Sequence, residues 1–584
     1  MHVQNSPSDI ISLLTGRFRG RAAILLPTRA LCTLLLALAA PAGAETYYVD
    51  SESGNDSNSG TSPDAPWKTL KKISRSRFAA GDTILLRRDR HWRETLVVSS
   101  SGSPERPILF SSYGSGSKPV IMRTEAFSDW TLTSELDKGK EGKKMIWGGR
   151  LPGLENSWGM VWKGLRVPSL RQYAGISVED LSNGYFYAPL NSERFYFRND
   201  SGEPGLAEIG ARKEAIRIRN RSNVVINGID VFGPGGRQTR GGATGFKAVS
   251  VDGDSHDITL RNISITHGNG FAVWAAPTTR NISYINLTVS DNGSTGIYMN
   301  SQGGTITGCK SYNNGRLATD KGDRGGIGSY KGSDLIIESN EVFNNGPEDG
   351  DADFEISMVG TGPVTIVRNH VHDCLQGCIQ IAEGGDNSLI AYNIISRYGS
   401  AGRGRKSSPG HNSGIRIGGG RGGAKGVRIY NNILHGGRQP AGAQEAALYV
   451  GPYDNSGLDV RNNIFVDNSN RSIYVRSKAI LENARFSNNL FSNLSNTLNW
   501  KEKALKTLQH WRTASGQGRG SVVGNPLFLN NSGTLSRESD FALQAASPAI
   551  DRGADVGLAS DYDGNPVPNG MAPDIGAFEF YPRD

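Results

Sequence analysis

The sequence predicts an all-β protein, a right-handed parallel β-helix whose irregular coils present one long solvent-facing strip. Three observations carry that reading. The chain has 584 residues, beyond one compact core, so it needs several domains or one elongated repeat architecture. Its 75 glycines are nearly twice the usual share and its apolar fraction of 37% lies below the globular norm, which fits many turns around a thin core. Short strands rich in Ile, Val and Leu recur through most of the chain, which excludes disorder.

Residues 1–44 read as a signal peptide. Arg17, Arg19, Arg21 and Arg29 form a basic region ahead of the apolar run Leu31 to Ala40, and Ala42-Gly43-Ala44 offers small residues for cleavage after Ala44. That run is too short for a permanent anchor, and no other segment looks transmembrane. The expected location is secreted or periplasmic. The formal charge is +8, of which the leader holds +3. The scattered remainder suits an anionic partner mildly and lacks the basic stripe that nucleic-acid binding needs.

Residues 45–122 are expected to hold an N-terminal cap and the first coils. A short amphipathic helix over 66–77 would cover the end of the stack, and coils would begin at Gly81 to Leu86. Residues 123–212 break the rhythm with aromatic-rich alternation, as in Arg194-Phe-Tyr-Phe197, and read as a β-rich insertion. Coils fill 213–496. A helical interruption from Trp500 to Trp511 and an irregular closing segment fill 497–584.

The repeat itself is clearest from residue 214 onward. One strand of each coil alternates apolar and outward residues, and the outward series runs Arg217, Ser250, Trp274, Tyr298, Gly328, Ser357, Gln380, Arg416, Tyr449 and Tyr474. A second column runs Asn227, Asn262, Asn286, Asn340, Asn369, Asn393, Asn432, Asn463 and Asn489, with Lys310 in the one coil that breaks it. Asparagine tolerates a left-handed turn and can bond its neighbours above and below. Spacing this irregular, with strands this short, excludes propeller blades, and no leucine recurs at solenoid offsets.

Cys309, Cys374 and Cys378 remain after the leader, an odd number that argues against a disulfide framework. Cys374 and Cys378 flank a tight turn, and either a disulfide between them or buried thiols fits. Tyr47-Tyr-Val-Asp50, Pro66-Trp-Lys-Thr-Leu70 and Gly81-Asp-Thr-Ile-Leu-Leu86 resemble the entry segment of secreted pectate-lyase-like β-helix proteins. Asn525-Pro-Leu-Phe528, Ser547-Pro-Ala-Ile-Asp-Arg-Gly553 and Asp574-Ile-Gly-Ala-Phe-Glu579 resemble the closing segment of bacterial exported β-helix proteins. The resemblance covers most of 46–580 and implies the fold. It implies no single activity, because such proteins include lyases, hydrolases, epimerases and adhesins.

The outward strip is the candidate substrate face. Trp274 to Tyr449 spans six rungs, roughly 29 Å at strand spacing, enough for an extended oligosaccharide. Trp274, Tyr298 and Tyr449 would stack on sugar rings, while Gln380 and Arg416 would supply fixed donors. Gly328 and Ser357 would leave a depression between Tyr298 and Gln380. Long loops at 315–325, 346–354 and 399–413 flank it.

Three chemistries fit this set. For β-elimination, Arg416 or a calcium ion would neutralise a uronate, Lys331 or His411 would take the proton, and Tyr298 would donate one. For hydrolysis, Asp353 and Glu355 would flank one bond. For pure glycan binding, as in an adhesin, the aromatic row suffices. Asp349, Asp351 and Asp353 make either a solvated acidic loop or a calcium site. His370 and His372 make either a turn-stabilising pair or metal ligands. The expected protein is a monomeric, exported carbohydrate-active enzyme on an acidic polysaccharide, with lyase chemistry ahead of hydrolysis.

Overall fold

A computed structural model gives the architecture, with residues 43–137, 143–152, 159–163, 165–167, 178, 181–189, 192–235, 247–316, 324–346, 354–399, 410–438, 446–469, 471–494, 498–530 and 535–582 described. Three 13-stranded sheets run the length of a solenoid, each coil giving one strand to each. Sheet one starts at Thr46–Val49, sheet two at Leu96–Val97 and sheet three at His91–Trp92. Pairing is parallel from coil to coil, so one apolar column per strand points inward to a continuous core.

The cap is shorter than expected. Helix α1 spans Leu70–Arg75, because Thr69 accepts a hydrogen bond from the Lys72 amide and ends the extended run Pro66 to Lys68. Its Leu70 and Ile73 close the core beside the first strand of sheet two. The first coil starts one rung earlier than Gly81, since Thr46–Val49 pairs with Thr83–Leu86.

The insertion forms two four-stranded antiparallel sheets around Phe127, Trp130, Phe186, Phe195 and Phe197. It leaves the stack after Val120–Met122 of sheet three and returns at Ile216–Arg219 of sheet two. The loops that contain 236–246, 317–323, 347–353 and 400–409 join the same two sheets, so these connections and the insertion all enter sheet two from sheet three.

The asparagine column resolves into two slots. Asn262 and Asn286 are left-handed and exposed, stacked side chain to side chain with Asn227. The inward slot one residue later holds Ile229, Ile263, Leu287 and Cys309, all buried. From the next coil on, that inward slot holds Asn340, Asn369, Asn393, Asn432, Asn463 and Asn489. The break in the column is therefore filled by Cys309, not Lys310, and the Cys309 amide donates to Asn340 Oδ1 at 2.8 Å. Lys310 points outward and pairs with Glu341. Burial pushes the Cys309 thiol up to about 12, so it stays protonated.

At the far end the expected helix over 500–511 is instead a hairpin, Leu498–Trp500 with Lys503–Leu505, followed by α2 at Leu508–Ser515. The closing segment then runs back along the outer face of sheet three. Phe528, Phe541, Ile575 and Phe578 cover Ile394, Ile433, Ile464 and Leu490. The end of the closing motif is knotted by its own carboxylates: Asp574 accepts from the Phe580 amide, and Glu579 from the Asp574 amide. Cys374 and Cys378 form a disulfide with Cα atoms 5.6 Å apart.

Candidate functional site

The outward series lies in strict register. Arg217, Ser250, Trp274, Tyr298, Gly328, Ser357, Gln380, Arg416, Tyr449 and Tyr474 are successive partners along sheet two. Residues far apart in number thus form one ridge, as alternation requires. Its ends differ in character from its middle.

At the N-terminal end the aromatic faces are already occupied. The Lys247 ammonium sits 3.0 Å from the Trp274 ring centroid, and burial lowers the pKa of that lysine. Tyr298 packs on Phe271 at 4.8 Å. A methyl at Gly328 would stand 2.9 Å from the Tyr298 ring, so that ring fills the expected depression. Further on, Tyr449 and Tyr474 stack at 5.8 Å with an 8° tilt and shield each other's faces.

The middle is polar and buried. Gln380 donates to Ser357 Oγ at 3.3 Å and accepts from Arg416 Nη1 at 3.1 Å. The Arg416 guanidinium lies 5.9 Å from the Phe354 ring and 6.0 Å from the Tyr449 ring. Phe354 in turn meets His411 edge to face at 6.1 Å. Ser357, Gln380, Arg416 and Tyr449 are each at most 8% exposed, and His411 is half-buried. Planar cation and planar amide thus meet in one low-dielectric spot, bordered by the Tyr449 ring and, beyond Phe354, by His411, while the Tyr449 hydroxyl accepts from Arg476 at 3.4 Å. Such a spot favours a planar anion over neutral groups.

The other expected participants stand apart. Tyr298 is four rungs from Arg416, roughly 19 Å, too far to serve the same bond. Lys331 belongs to the coil of Gly328, three rungs from Arg416, in an exposed left-handed turn beyond its strand and against Tyr330. Glu355 corrects its expected role most sharply. Its carboxyl points inward and accepts from the amide and the side chain of Asn345. It terminates a second ladder, Asn292 to Asn314 to Asn345, beneath the long-loop edge. Burial pushes it up to about 8 against those bonds. Asp349, Asp351 and Asp353 lie outside the described residues, so the Asp353–Glu355 pair has only its buried member on view.

His370 and His372 project together from a strand of sheet three, as their spacing of two predicts. His370 bonds Glu538 of the closing segment, and His372 bonds Asp373 and Glu341. Among the described residues no cluster of three His, Cys, Asp or Glu could hold a metal ion. Sequence reasoning missed Phe354, which touches both Arg416 and His411; its place just before an alternating strand gives no periodic signal.

This fold and ridge define a right-handed parallel β-helix protein. A model of the right-handed beta helix region matches residues 247–434. The chain is 39% identical over 82 residues to a lacto-N-biosidase of Bifidobacterium longum, covering 13% of this chain and 5% of that protein. It is 33% identical over 67 residues to an alpha-1,3-galactosidase A of Akkermansia muciniphila, covering 12% and 11%. The matches thus span only a small part of either relative. Among solved structures, XylC in complex with xylose superposes with a TM-score of 0.58 at 13% identity, over 91% of this chain and 98% of that one. Among the described residues no helix is long and apolar enough to cross a membrane.

Proposed function

We propose that the protein is an exported carbohydrate-active enzyme that cleaves an acidic polysaccharide by β-elimination at the middle of sheet two. The single observation behind this reading is the buried Arg416–Gln380 pair, bordered by the Tyr449 ring and, beyond Phe354, by His411, on a ridge whose outward row, among the described residues, carries no carboxylate. Elimination needs a cation to neutralise a uronate carboxylate, a base for the C5 proton and a donor for the leaving oxygen. Arg416 would take the first role with Gln380 orienting it, His411 the second, and Tyr449, one rung from Arg416, the third in place of Tyr298. Calcium held by Asp349, Asp351 and Asp353 would add a second cation. A disulfide at Cys374–Cys378 accords with an oxidising compartment.

Hydrolysis is the second reading, favoured by the names of the two sequence relatives, both glycosidases. The test is incubation of the purified protein with a panel of uronate and neutral polymers, with and without chelator. Rising ultraviolet absorbance from unsaturated ends, abolished in Arg416→Met, supports elimination. New reducing ends without that absorbance support hydrolysis, and retention on the polymer with neither signal supports an adhesin.

A further inference from the structure

We propose that the junction between the insertion and sheet three is a second sugar-binding site, separate from the ridge and built to hold one pyranose unit. A cavity of about 630 Å³ opens there, within the range of pockets that take small ligands. Its floor is apolar: Met122 and Phe232 point outward from adjacent coils of sheet three. Leu206 of the insertion forms a lip and is 67% exposed.

The rim is polar, and its groups fall into two kinds. Glu208 and Asp230 are engaged, Glu208 by Arg93 and Thr124, and Asp230 by Lys118 and the Ser264 amide. The Ser264 and Thr266 hydroxyls and the His91 ring line the same cavity and have no hydrogen-bond partner among the described residues. Lys163 reaches it over the Trp162 ring. An apolar floor beside unpaired hydroxyls and a cation matches a ring with one C–H face and one hydroxyl edge. A purely hydrocarbon ligand would leave those rim groups buried without partners, at a cost of about 1–3 kcal/mol each. That mismatch argues for sugar over lipid. The cavity lies on sheet three while the proposed reaction site lies on sheet two, so the site would hold polymer without cleaving it.

Met122 provides a local probe that needs no turnover. With methyl-labelled methionine, the Met122 signal (assigned through Met122→Leu) is followed during titration with D-galacturonate, D-galactose, D-xylose and N-acetylglucosamine. Expected is a saturable shift with at least one sugar at millimolar concentration, weakened roughly tenfold or more by Phe232→Ala, with Met358 of the core unmoved. Thr266→Val should weaken it too without altering the floor. A Met122 signal that none of the four sugars moves, or that moves equally in Phe232→Ala, overturns the proposal. Either result stands whatever the polymer panel shows for the ridge.

Discussion

Two stretches of the solenoid solve the same turn differently. Between sheets one and three, the coils of Ile229, Ile263, Leu287 and Cys309 fill the inward slot with apolar or weakly polar groups. The coils from Asn340 to Asn489 fill it with a continuous amide ladder. Asn393 is representative: its Nδ2 donates to Ile366 O, Ala391 O and Asn432 Oδ1, and its Oδ1 accepts from the Asn369 amide. Apolar filling is non-directional and tolerates small shifts, whereas a ladder fixes each coil on the next through bonds of about 2.9 Å. The ladder coils are also those that carry Ser357, Gln380, Arg416 and Tyr449. Directional support thus lies in the same coils as the proposed reaction site, at the turn between sheets one and three.

The contrast can be broken by substitution. Asn393→Leu should be the most damaging change, costing roughly 3 kcal/mol or more, because it strands buried carbonyls and the Asn369 amide. Urea unfolding measures it, and a loss under about 1 kcal/mol would mean the ladder contributes little net stability. Ile263→Ala, in the apolar stretch, should cost roughly 2–3 kcal/mol by leaving a cavity, and a thermal melt of the two variants side by side ranks the two designs.

Glu355 sharpens the comparison, since it ends the shorter ladder with an acid. Burial raises its folded pKa to about 8, above its ordinary value. Its contribution is therefore full below the unfolded pKa and is lost as pH rises to about 8. Glu355→Gln should flatten that decline, and the variant should gain on the order of 1–2 kcal/mol over the parent at alkaline pH. Stability curves at three pH values check it; parallel curves would show that the carboxyl stays ionised. The smallest effect belongs to Cys309→Asn, which extends the ladder by one rung toward Leu287. The Leu287 amide and Tyr284 carbonyl already meet the thiol at 3.4 and 3.6 Å, so the change should be neutral or stabilise by up to about 1 kcal/mol.

Much of this was readable without coordinates, for a physical reason. Alternation fixes which face each side chain takes, so the ridge from Arg217 to Tyr474 follows from period alone. The asparagine column was harder. Asn262 and Asn393 sit one residue apart in the turn, and the residue favours both the left-handed slot and the ladder slot, so sequence merged them. The position of Cys309 was lost with that merger. Site assembly was the least legible part. Rung count already separates Tyr298 and Lys331 from Arg416, but which way Glu355 faces depends on Asn345, ten residues earlier in the chain. The covering of Trp274 by Lys247 is likewise a contact between coils.

The returning closing segment changes how the molecule should come apart. A stack in which each layer touches only its neighbours can fray rung by rung. Here Arg368 is tied to Ser560, Asn431 to Asp574, Asn462 to Ala554 and Asn488 to Arg552. One strap thus clasps four of five successive layers from outside, and unzipping any of those four requires lifting it. Denaturation of that half should be a single concerted event, with proteases finding no partly opened intermediate to cut.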